Sequence, residues 1–173
     1  PTCSTLPSRR LGITGLLMAL GSCASFSFAD EPPPLIHAHA HNDYLHKQPL
    51  LDALDQGFCS VEADINLVDG QLLVAHDAKQ ALTNLTLQSL YLEPLRQRVK
   101  TNRGRVYRNG PEFTLLIDLK TDWHATYPVL RQVLKAYADI LTTFSNGHKQ
   151  TNAVTAIISG NRSLAMFAAE DIR

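Results

Sequence analysis

The stretch Phe58-Cys59-Ser60-Val61-Glu62-Ala63-Asp64-Ile65-Asn66-Leu67 decides the fold. Its apolar and β-branched content reads as a strand, and in a strand alternate side chains share a face. Val61, Ala63, Ile65 and Leu67 therefore point one way, and Ser60, Glu62, Asp64 and Asn66 the other. Two acids on one face of so apolar a strand are costly unless a positive charge sits between them. A hard divalent cation, Mg²⁺ or Ca²⁺, is the economical candidate, because carboxylate oxygens suit those ions. His41-Asn42 precedes the strand and His76-Asp77 follows it. Two histidines flanking paired acids supply an acid and a base, a set suited to phosphodiester cleavage.

Working outward, Leu35 to Ala40 reads as a short strand, with His37, His39 and His41 alternating onto one face. Pro49 to Gly57 reads as a helix with Gly57 at its C-terminal cap. Asp69-Gly70 is a turn dipeptide, and Gln71 to Ala75 is the next strand, ending at His76-Asp77. Leu85 to Val99 has a helical pattern interrupted by Pro94. Phe113 to Leu119 is a strand with Leu116, Asp118 and Lys120 on one face. The spacing of Tyr127, Leu130, Leu134, Tyr137, Leu141 and Phe144 predicts a helix from Ala125 to Phe144. Ala153 to Ser159 is a further strand, and Arg162 to Ala169 begins another helix. Strands alternating with helices predict parallel β-structure with crossover helices. The polar cluster falls at strand C-terminal ends, where α/β barrels keep their chemistry. A complete TIM-type (β/α) barrel takes ~250 residues, so these residues are expected to form its N-terminal part.

The first residues carry a different signal. Arg9-Arg10 precede the apolar run from Leu11, which continues through small residues to Ala29. This is the pattern of a secretory signal peptide over residues 1–29, with cleavage after Ser27-Phe28-Ala29. Leu20-Gly21-Ser22-Cys23 also fits a lipobox, which would lipidate Cys23. Either reading predicts export to the periplasm, the envelope or the medium. Cys59 would then be the only cysteine left, so no internal disulfide is expected, and it reads as a small core residue. The whole chain has 16 basic and 16 acidic residues, and loss of the leader makes it mildly acidic, which argues against nucleic-acid binding. About 140 residues suffice for one core.

The pieces His41-Asn42-Asp43-Tyr44, Ser60-Val61-Glu62-Ala63-Asp64, Gly70, Leu73-Val74-Ala75-His76-Asp77 and Leu116-Ile117-Asp118-Leu119-Lys120 occur in order. Together they resemble the superfamily of phosphatidylinositol-specific phospholipases C and glycerophosphodiester phosphodiesterases, nearest its altered inheritance of mitochondria protein 6 branch. The resemblance implies that His41 and His76 are the catalytic pair. It places Glu62, Asp64, Asp118 and Asn42 around a divalent cation and sets Lys120 against the substrate phosphate. Asp118 stands where many members have Glu, as in sphingomyelinase D relatives; Asp is one methylene shorter and still an oxygen ligand.

The expected chemistry is acid–base cleavage of a phosphodiester, with the cation and Lys120 neutralising phosphate charge. Expected substrates are small or lipid phosphodiesters. Asp43 and Asp77 are read as turn caps, with orienting their neighbouring histidines the alternative; His39 is read as packing in the lumen or supporting the site from behind, and His46, His124 and His148 as surface residues. Trp123 fits either the rim of the site or a packing role. The run Arg96, Arg98, Lys100, Arg103, Arg105, Arg108 is read as a solvated loop, with contact to anionic headgroups and a membrane surface as the functional alternative. Two other functions stay open: a metal-dependent amidohydrolase built on His37 and His39, and a phosphate-ligand binder without catalysis.

Overall fold

The computed structural model describes residues 31–165, so the leader and lipobox expected in residues 1–29 lie outside them. Four parallel strands make an open, curled sheet with the shape of half a barrel: β1 (Leu35–Ala40), β2 (Phe58–Val68), β4 (Phe113–Leu119) and β7 (Val154–Gly160), in that spatial order. β3 (Gln71–Val74) turns back antiparallel on β2. The connections carry α1 (Leu51–Asp55), α2 (Glu93–Thr101) and α3 (Trp123–Lys135), and a hairpin, β5 (Thr143–Ser145) with β6 (His148–Gln150), precedes β7. The mixed α/β class and parallel order agree with the sequence; the described residues form a half-barrel.

Register explains how the sheet divides its two faces. Val61, Ala63 and Ile65 pair with Leu115, Ile117 and Leu119, and all six are buried in one core with Leu54, Leu95 and Leu130 from the helices. Each fully buried Val, Leu or Ile among them stabilises the fold by about 1.5–3 kcal/mol. Cys59 is buried in the same core and is a free thiol. On the other face Asp64 pairs with Asp118, and Asp118 with Ser159. One row of the sheet thus carries three polar side chains on adjacent strands.

Several expectations change. The helix predicted from Ala125 to Phe144 begins at Trp123 and ends at Lys135. Residues beyond it are captured by β7 instead: Val154 N–H donates to Ile140 O and Thr142 N–H to Val154 O. Tyr137 and Leu141 are buried as the periodicity required, but in turns and a β-bridge. The hairpin that follows turns on Asn146 and Gly147, both at positive φ (50° and 76°), the conformation a two-residue hairpin loop demands. Pro94 does not interrupt the helical stretch after Leu87; the residues Gln88–Leu92 form a π-turn that runs directly into α2. A proline lacks the N–H of an ordinary turn and crowds the preceding carbonyl, and the wider turn relieves both. The pairing of β1 with β2 is irregular between Leu35 and His39, so His37 does not keep step with His39 and His41. The helix expected from Arg162 to Ala169 lies mostly outside the described residues.

The basic run is only partly a solvated loop. Arg96 pairs with Asp139 and lies 3.9 Å over the Tyr137 ring, while Arg98 donates to Val106 O and Glu31. Lys100, Arg103 and Arg105 are exposed. Among the described residues no helix is long and apolar enough to cross a membrane.

Candidate functional site

The site is built at the C-terminal ends of β1, β2 and β4. β1 ends at Ala40, opposite Val61, which brings the next residue, His41, level with Glu62. His41 Nε2 lies 3.2 Å from Glu62 Oε2, and the imidazole is otherwise open to solvent. Asn42 takes a left-handed conformation (φ 53°), which Asn tolerates better than most residues. That bend turns its backbone N–H to donate to Glu62 Oε2 at 3.0 Å. Glu62 therefore holds the start of the loop by a main-chain and a side-chain contact.

The loop is anchored at its other end by Asp43, which the sequence reads as a turn cap. Asp43 is fully buried and caps nothing on its own turn. Its Oδ2 accepts from Leu50 N–H at 2.6 Å and from the Tyr91 hydroxyl at 2.9 Å. Burial pushes the Asp43 carboxyl up despite those two donors. Leu50 has φ 65° and ψ −50°, and Leu51 N–H donates to Pro49 O at 2.8 Å; this is the strained hand of a γ-turn. Asp77 does cap, accepting from Lys79 N–H at 2.9 Å.

Asp64 and Asp118 share one cation. Lys120 Nζ lies 3.0 Å from Asp64 Oδ2 and 2.7 Å from Asp118 Oδ2. Ser159 donates to Asp118 Oδ1 at 2.6 Å. Burial works to raise the Asp118 carboxyl, but the hydrogen bonds from Lys120 and Ser159 outweigh it and hold it below its ordinary range. Burial likewise works against the Lys120 ammonium, and the hydrogen bonds to Asp118 and Asp64 keep it above its ordinary value. Asp64 is buried, and its Oδ1 has no hydrogen-bond partner among the described residues. Gly160, at φ 73°, closes on this pair: a Cβ there would lie 2.7 Å from Asp118 Oδ1 and 2.5 Å from Leu119 O.

Tyr44 connects the two halves. Its hydroxyl lies 2.7 Å from Asp64 Oδ2 and 2.9 Å from the Asn42 side-chain amide. A phenol has one proton, and the carboxylate is the stronger acceptor. The contact to Asn42 is made to its Oδ1, so the one phenol proton lies between the amide oxygen and the carboxylate, with the carboxylate holding it more strongly. Burial and the hydrogen bond to Asp64 push the Tyr44 hydroxyl pKa up, so it stays protonated. Tyr44 and Ser159 were not singled out from sequence. Tyr44 lies in the first motif, and Ser159 is the penultimate residue of β7, as Asp118, its cross-strand partner, is of β4.

His76 follows the returning strand. Ala75 N–H donates to Asp64 O at 3.1 Å, and Asn66 Nδ2 donates to Ala75 O at 2.6 Å, so His76 is one residue beyond the backbone level of Asp64. It is exposed. Of the other histidines, His39 Nδ1 contacts Ser60 Oγ at 2.8 Å, and His37 is exposed. His46 and His148 are exposed, as expected, although His46 Nδ1 comes within 3.9 Å of Asp43. His124 pairs with Asp122 and stacks on the half-buried Trp123.

Among the described residues no group of three or more His, Cys, Asp or Glu side chains is arranged to hold a metal ion. Glu62 is turned to His41 and the Asn42 backbone, and only Asp64 and Asp118 meet at one cation. Two carboxylates fit Mg²⁺, which is commonly held by one or two carboxylates plus phosphate oxygens and waters. Asp64 Oδ1, without a partner among the described residues, and Asn42 Oδ1, which meets the Tyr44 hydroxyl, are further oxygen ligand atoms beside that pair.

A family model described as an AIM6-like phosphodiesterase domain matches residues 30–173. The chain is similar to altered inheritance of mitochondria protein 6 of Eremothecium gossypii, at 31% identity over 93% of this chain and 49% of that protein. It is 38% identical to the protein of the same name from Lachancea thermotolerans, over 71% of this chain and 33% of that protein. A homologue from Arthroderma benhamiae is 32% identical, over 75% of this chain and 48% of that protein. The chain thus spans between a third and a half of the length of these curated relatives. No solved structure matches it. With four-fifths of its length under one family model and its motif residues gathered on neighbouring strand ends, the chain belongs to the AIM6-like phosphodiesterase family.

Proposed function

We propose that this domain cleaves phosphodiesters of the glycerophosphodiester or phospholipid class by acid–base catalysis between His41 and His76. One observation carries the reading: His41, Glu62, Asp64, Asp118, Lys120 and the backbone leading to His76 meet at the C-terminal ends of adjacent parallel strands, where α/β barrels perform chemistry. His41 takes the proton of the attacking hydroxyl, from water or from the substrate itself. His76 gives a proton to the leaving alkoxide as its P–O bond breaks. Glu62 holds His41 in place and stabilises the imidazolium it becomes.

Asp64 and Asp118, with Asn42 and Glu62 beside them, are the residues proposed to hold Mg²⁺ or Ca²⁺. When bound, such an ion neutralises charge on the phosphodiester oxygens. Lys120 supplies one more positive charge to the phosphate. The reading extends to a complete TIM-type barrel in the whole protein and to export directed by residues 1–29, which N-terminal sequencing of the secreted or membrane fraction tests.

The activity test is turnover of bis-p-nitrophenyl phosphate and of glycerophosphodiesters by the purified protein, with and without EDTA. Metal-dependent turnover abolished by His41→Ala and by His76→Ala is the expected result. Phosphate-ligand binding without turnover would instead identify a non-catalytic binder. Turnover that survives both substitutions would overturn the histidine roles.

A further inference from the structure

We propose that Lys120 is a displaceable counter-ion: its ammonium fills the cation position between Asp64 and Asp118 until a divalent ion arrives, and then moves onto the substrate phosphate. The inference rests on the metal-assisted reading above and assigns Lys120 two successive partners.

The argument begins with the contacts. Lys120 Nζ reaches Asp64 Oδ2 and Asp118 Oδ2 at 3.0 and 2.7 Å, the two oxygens a shared cation would take. The backbone of Lys120 is fixed, its N–H donating to Ile65 O at 3.0 Å. The ammonium, by contrast, rides on a flexible four-carbon stem and is a quarter exposed. It can therefore leave the carboxylates without unfolding the strand end.

Charge balance supplies the reason to leave. Two carboxylates, Asp64 and Asp118, face one lysine here, and the buried Asp64 Oδ1 has no donor among the described residues. One ammonium leaves the cluster net negative, which repels a phosphodiester anion; a dication corrects that deficit. An ammonium and a dication cannot share the same two oxygens, because their repulsion at contact distance opposes both. The ion that binds more strongly displaces Nζ, and the freed charge faces the open side, where the phosphate enters.

The test is calorimetric titration of the whole metal-free protein with MgCl₂ and with CaCl₂, comparing wild type with Lys120→Met and Lys120→Gln, each checked for fold by circular dichroism. Removing the competitor is expected to tighten binding at least tenfold in both variants. Lys120→Arg, whose planar fork clamps carboxylates more rigidly, is expected to weaken it. A second readout is the rate at which N-succinimidyl acetate acetylates Lys120, followed by peptide mass spectrometry; it should rise on saturation with Mg²⁺. Unchanged or weaker ion binding in Lys120→Met and Lys120→Gln, or an acetylation rate indifferent to Mg²⁺, overturns the exchange while leaving the metal reading intact. No binding of either ion by wild type or variants, with turnover persisting in EDTA, overturns the metal reading and the exchange with it.

Discussion

At the N-terminal ends of the strands, Glu112 has a donor for each oxygen: Oε1 accepts from the Thr142 and Thr155 hydroxyls, and Oε2 lies 3.5 Å from Lys149 Nζ. Glu31 is equally provided for, by Asn102 Nδ2 at 2.7 Å and Arg108 N–H at 2.8 Å, with Arg98 beside it. At the C-terminal ends, Asp64 and Asp118 divide one lysine, and Asp64 Oδ1 has no partner among the described residues. The same chemical group, a carboxylate, is thus saturated at one end of the sheet and under-supplied at the other. Satisfied acids fasten loops; the under-supplied pair is the one proposed to take a cation, and a buried polar atom without a partner costs about 1–3 kcal/mol of stability until it finds one.

The strongest way to break this contrast is at the histidines. His41→Ala and His76→Ala should each lower kcat on bis-p-nitrophenyl phosphate by about 10²–10⁴ with little change in melting temperature, since both side chains are exposed. Gly160→Ala comes next, because it acts on both properties. Its positive φ and the approach of its Cβ to Asp118 and Leu119 should cost about 1–3 kcal/mol in urea unfolding and reduce kcat by displacing Asp118. Glu112→Ala isolates the opposite end: a loss of about 1–2 kcal/mol with kcat retained. A fall in kcat as large as that of Gly160→Ala would mean the two ends are not independent.

The smallest expected effect is in the acid limb of stability. The Asp118 carboxyl is held below its ordinary range in the folded protein, so its contribution is complete above the unfolded value of about 4 and disappears as pH falls through the folded value. Urea midpoints measured from pH 6 downward should decline more steeply in wild type than in Asp118→Asn. Parallel curves would show that Lys120 and Ser159 do not favour the charged form.

What was legible in the sequence follows a physical division. The strands were legible because period-two alternation is set by burial on one face, and Val61, Ala63 and Ile65 obey it completely. The order of motifs at strand ends was legible for the same reason. The helix through Phe144 was not, because the spacing of Tyr137 and Leu141 reports burial alone, and residues 140–142 bury themselves by pairing with Val154. The Asn146-Gly147 dipeptide, between Phe144 and Lys149, was the available signal for a hairpin. Asp43 was misjudged because an acid after His-Asn has the composition of a turn; only the distant Tyr91 and Leu50 make it a core residue. The Lys120 bridge depends on cross-strand register, which a single strand's pattern does not contain.

The hairpin of β2 and β3 also keeps phase. β2 runs on to Val68 beyond its last pairing with β4, at Ile65, turns at Asp69-Gly70, and returns so that His76 arrives one residue after the partner of Asp64. A ladder has a repeat of two, so parity, more than length, decides what stands there. Deleting one residue from β3 would deliver Asp77 to the level of His76 and invert every side chain of the returning strand. Shortening both strands by one paired position would leave His76 in step, so the hairpin can shrink or grow in evolution by matched pairs and not by single residues.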